Sequence, residues 1–105
     1  MSEILEHYRV NLYSIEGKQQ GKIVLHCSNG YTLNLVFDDS MGTLPPNAFD
    51  ASSKTGTAYA SFVMYQHYLD LVRNEGPCRV SFIFAAVSPS FRVQSKLENP
   101  GEGQL

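Results

Sequence analysis

A chain of 105 residues with 43% hydrophobic and 17% charged residues and a formal net charge of −2 has the composition of one ordinary folded domain. The charge excludes a strongly basic nucleic-acid binder, and the apolar content excludes a disordered chain, which lacks the material to offset ordering entropy. The expected organisation is a single domain over residues 1–98, followed by a disordered tail over residues 99–105 whose Asn-Pro-Gly-Glu-Gly run has too little to bury.

Residues 1–8 carry Glu3 and Glu6 with no basic start and no apolar run, so neither a signal nor a transit peptide is readable. The longest apolar run, residues 82–87, falls far short of the roughly 20 residues needed to cross a bilayer. The expectation is a cytoplasmic protein without membrane contact. Cys27 and Cys78 lie in separate strand-like segments, with no Cys-x-x-Cys spacing and no histidine at zinc-ligand spacing. They read as reduced core residues, and no metal or cofactor is expected.

In residues 8–15, Tyr8, Val10 and Leu12 alternate with Arg9, Asn11 and Tyr13, the pattern of a half-buried strand. Residues 16–21 read as the loop that follows. Residues 22–37 form a hairpin whose register can be decided. A two-residue Asn-Gly turn would mix polar and apolar side chains on both faces. A three-residue Ser-Asn-Gly loop with Gly30 left-handed instead pairs Cys27 with Tyr31, Leu25 with Leu33 and Ile23 with Leu35, which gathers the apolar set on one face.

Residues 39–57, rich in Ser, Thr, Gly, Pro and Asp, read as one long loop held against the body by Met41, Leu44 and Phe49. A helix is expected over residues 58–73, with Ala58, Phe62, Tyr65, Leu69 and Val72 as its apolar stripe, Thr57 as N-cap and Gly76-Pro77 as the stop. Two strands complete the domain, one carrying Cys78, Val80, Phe82 and Phe84 on one face, the other alternating Phe91 and Val93 with Arg92 and Gln94. The expected fold class is therefore α+β: a mainly antiparallel sheet in the order βββ, long loop, α, ββ, with the helix on one face.

No complete catalytic constellation is legible. His26 adjoins Cys27, but neighbours along a strand point to opposite faces, which rules out a Cys/His pair there. Asp38 and Asp39 end a strand without the spacing of a calcium loop. Lys54, Thr55 and Thr57 would stand at the helix N-terminus, where free N–H groups and the dipole favour an anion. Arg79, Arg92 and Lys96 form a basic strip without interleaved aromatics, so no nucleic-acid partner is expected.

The least ordinary feature is apolar residues on the face away from the main alternation: Tyr13, Ile15, Val24, Val36, Ile83 and Val87. Together they point to a second face covered by the long loop of residues 39–57, by a second copy of the chain, or by another partner or ligand. The function expected from the sequence is a small binding or adaptor module, working through a sheet face or edge as a homodimer or with another protein. The alternative is a small-ligand or anion-binding protein or enzyme, with its site among Asp38, Asp39, Lys54, Thr55, Thr57 and His26.

Overall fold

The computed structural model describes residues 2–15, 18–39, 44–74, 78–84 and 88–95. Strands β1 (Ser2–Ile15) and β2 (Lys18–Cys27) make a long hairpin with Ile15 opposite Lys18. Most of the stretch expected to be loop is thus strand. Its composition disguises it, because Gly21 lies under the Tyr65 ring, where an added Cβ would stand 2.9 Å from a ring carbon.

The turn Ser28–Gly30 leads into β3 (Thr32–Asp38) in the register that separates the two faces, with Leu25 opposite Leu33 and Ile23 opposite Leu35. The Cys27 N–H donates to the Tyr31 carbonyl at 2.8 Å, and Asn29 and Gly30 take φ of 59° and 79°. Asparagine and glycine are the residues that accept this left-handed backbone at least cost.

Where one long loop was expected, the chain forms β4 (Ala48–Asp50) and β5 (Thr55–Ala60), and β5 runs parallel to β3 with Leu33 opposite Gly56 and Leu35 opposite Ala58. The helix is correspondingly shorter: α1 spans Tyr65–Asn74, entered through a 3-10 turn at Phe62–Met64. Ala58 satisfies both patterns. It falls on a helical stripe with Phe62 and Tyr65, and on a strand alternation with Gly56 and Ala60, and pairing with β3 decides for the strand. Strands β6 (Cys78–Ile83) and β7 (Ser90–Ser95) close the chain.

The result is an α+β domain with one curled, mixed sheet in the order β4-β5-β3-β2-β1-β6-β7, and β3/β5 as its parallel pair. Its concave face carries the core: Ile23, Leu25, Leu33, Phe37, Val80 and Phe82 are 0% exposed. The curl is tight enough that the Phe91 ring of β7 covers Gly56 of β5, where an added Cβ would lie 2.6 Å from it. Helix α1 lays Tyr65 and Val72 into the concavity, with Tyr65 edge-on to Phe37. Gln66, His67, Asp70 and Arg73 face outward. Cys27 and Cys78 are both buried, and the Cys78 thiol donates to the Leu71 carbonyl at 3.5 Å. Among the described residues no helix is long and apolar enough to cross a membrane. The tail over residues 99–105 lies outside the described residues.

Candidate functional site

The polar residues expected to form a ligand site fall in different places. Asp38 ends β3 and Asp39 follows it, whereas Thr55 stands opposite Thr32 at the start of β3, about 20 Å away at about 3.3 Å per residue. Asp39 serves the fold, since its Oδ1 accepts from the Phe62 N–H at 3.0 Å and so caps the turn that leads into α1. Asp38 accepts from the Gln20 side-chain amide at 3.3 Å. Thr55 and Thr57 lie within β5 and cap no helix, and Lys54 precedes that strand, so the anion site expected of a helix N-terminus has no helix to supply it.

Lys54 belongs to a second cluster. Glu3, on the concave side of β1 opposite Val80, is only 8% exposed. Its Oε1 accepts from Ser28 Oγ at 2.9 Å and Asn29 Nδ2 at 2.8 Å, while Ser28 Oγ accepts from the Ile4 N–H at 3.0 Å. Lys54, at φ 54°, donates through Nζ to the Asn29 carbonyl at 3.1 Å and lies over the Tyr31 ring. The hydrogen bonds from Asn29 and Ser28 hold the Glu3 carboxyl below the usual glutamate range, against the opposing effect of burial. This cluster ties the start of β1 to the β2–β3 turn, and every polar group in it already has a partner.

His26 stacks on His7 across the β1/β2 ladder, with ring centroids 4.7 Å apart. Two imidazoles offer two nitrogen ligands. Among the described residues no set of three metal-ligating side chains assembles. Cys27 is no nucleophile either: burial, helped by the negative charges of Glu3 and Glu6, pushes its thiol up to about 12.

Of the residues expected to make an interface, Val24 is buried within the chain, between Arg9 and Asn34 on the neighbouring strands. Val36 is half-buried, beside a small cavity of about 110 Å³ that Asn47 and Tyr59 also line. Ile83 is 41% exposed. Tyr13 and Ile15 are described by their backbone alone, at the far end of β1, and Val87 lies outside the described residues.

The most open part of the molecule is an edge. Among the described residues β1 pairs with β6 through Ser2, Glu3 and Ile4, and its ladder with β2 shifts register at a bulge between Leu5 and His7. From there to Ile15, among the described residues, it has a partner strand on one side only, β2. The free side presents backbone N–H and C=O groups that a further strand could pair. Beside it stand Tyr8 and Leu12, 37% and 61% exposed, on the same face as the buried Leu25 and Ile23.

The alternation of Tyr8, Val10 and Leu12 shows in the sequence, but its position at an open edge depends on where β6 stops pairing. No local signal carries that. Comparison with protein-family models, curated proteins and solved structures gives no match.

Proposed function

We propose that this chain is a binding module that works by strand addition, with the open side of β1 over residues 6–15 as its working surface. The observation that carries the reading is one-sided pairing of a long strand whose concave-side residues Tyr8 and Leu12 remain exposed. An added strand would gain main-chain hydrogen bonds along β1, and its alternate side chains would cover Tyr8 and Leu12. The dispersal of Asp38, Asp39, Lys54, Thr55 and Thr57 favours this reading over a ligand-binding site or enzyme among those residues.

A display library of extended peptides selected on the immobilised protein tests it. Bound peptides should slow amide exchange along residues 6–15 and should be lost with Leu12→Lys, because an edge lysine discourages further pairing. Peptides that protect other amides instead, or a library that yields none, would overturn the reading.

A further inference from the structure

We infer that the strand added to β1 is β1 of a second copy of this chain, antiparallel, with a two-fold axis through Val10. The inference rests on the binding reading above and names its partner. In a two-fold antiparallel pair, each residue lies directly opposite one equally far on the other side of the axis, and opposed side chains share a face. The strand's own sequence therefore selects the register.

An axis through Arg9 sets two guanidinium groups directly opposite each other, a like-charge pair that disfavours pairing. An axis through Asn11 sets Tyr8 against Ser14 of the other copy. The axis through Val10 sets Tyr8 opposite Leu12, Val10 opposite Val10 and Leu12 opposite Tyr8, so these three apolar concave-side residues meet one another, with Ser14 opposite Glu6 at the ends of the pair. On the convex side, Arg9 then faces Asn11 and no two like charges are directly opposed. The same register covers Tyr8 and Leu12, the two large apolar side chains that β1 leaves most open in this segment. The two concave faces become continuous, and the open stretch of β1 over residues 6–15 contributes a single shared strand pair at the centre of the assembly.

Sedimentation of the full chain at tens of micromolar should give the mass of two chains. Leu12→Lys should give one chain with an unchanged far-ultraviolet spectrum. Single cysteines introduced by Arg9→Cys, Val10→Cys and Asn11→Cys then read the register under mild oxidation, since the native thiols Cys27 and Cys78 are buried. Val10→Cys should cross-link to itself efficiently and the other two poorly.

Preferred cross-linking at 9 or 11, or a two-chain mass that survives Leu12→Lys, would overturn the assignment. A one-chain mass would also overturn it, and amide exchange on that monomer separates the two levels of failure. Fast exchange at the alternate amides of residues 6–15 that point away from β2 sinks self-pairing alone and leaves the edge open to another strand. Slow exchange there means that part of this chain already occupies the edge, and sinks the binding reading as well.

Discussion

One row of the sheet, Leu12, Gly21, Phe37 and Ala60 on β1, β2, β3 and β5, passes from the open part of the molecule to its closed part. Leu12 is 61% exposed and Phe37, two strands away on the same face, is 0% exposed. Both are large apolar residues at equivalent points of the alternation. What separates them is lateral position: Phe37 sits under Tyr65 and Tyr68 of α1, while Leu12 lies out toward an edge that nothing described covers. In this fold burial is decided by the curl of the sheet and the placement of one short helix, and residue type only makes burial favourable.

The widest contrast should come from emptying one position on each side. Phe82 is fully buried among the rings of Tyr31, Phe49 and Phe91. Phe82→Ala removes those contacts and leaves a cavity that a curled sheet fills poorly, so it should cost about 3–5 kcal/mol. Leu12→Ser, measured by urea unfolding in dilute solution where chains are single, should change stability by no more than about 0.5 kcal/mol. Comparable losses in the two variants would mean that β1 is covered over its whole length.

A smaller effect should follow from filling space on the closed side. Gly56 has ordinary backbone geometry, but a methyl group there would stand 2.6 Å from the Phe91 ring. Gly56→Ala must push that ring away and loosen the closure of β7 over β5, at about 1–3 kcal/mol. A thermal midpoint unchanged by Gly56→Ala would show that β7 is free to withdraw, and the closed side would be less closed than its geometry indicates.

These contrasts also show what a reader of the sequence can see. The β2–β3 hairpin was legible because both determinants are local: the three-residue Ser-Asn-Gly turn and the alternation from Ile23 to Phe37. β5 was not, because Thr55–Ala60 pairs in parallel with a strand reached only after the intervening stretch and β4, and its Ala58 fits a helix equally well. Lys18, Gln19, Gln20 and Gly21 read as loop because a strand crossing under a helix needs a glycine where the Tyr65 ring descends. The candidate site suffered most. Asp38 and Asp39 looked like free carboxylates and turned out to hold Gln20 and the entry to α1, and an open edge is defined by where pairing ends, which no short window of sequence records.

Gly30 sharpens the comparison from the backbone side. Nothing lies within 4 Å of the Cβ it would carry, yet its φ of 79° is one that L-residues resist. Gly30→Ala should therefore cost about 1 kcal/mol through conformation alone, less than the crowding at Gly56. Because the turn lies beside Glu3 and away from the open edge, Gly30→Ala should lower the urea midpoint without altering peptide binding or chain mass. A change in mass with this variant would couple the turn to the edge and undo the separation drawn between them.

The smallest expected effect lies at the junction of the two regions, where Glu3 anchors the stem of β1 just before its open stretch. The folded protein holds the Glu3 carboxyl below the ordinary value of 4.5, first through the hydrogen bond from Asn29 and then through that from Ser28. A carboxyl whose pKa is depressed on folding contributes stability above its unfolded value and loses it as pH falls through its folded value. The native chain should therefore lose stability below about pH 4.5 more steeply than Glu3→Gln, which has no proton to take up, and the difference between the two should be constant above that range. Asp50, whose carboxyl is also held low, by Ser52, contributes equally to both proteins and cancels from the difference. Urea midpoints followed from pH 7 to pH 2 provide the measurement. Parallel curves would mean that the fold holds Glu3 no more tightly as a carboxylate than as the protonated acid. The stem would then be held by the β1/β6 ladder of Ser2, Glu3 and Ile4, without a charge-dependent contribution from Glu3.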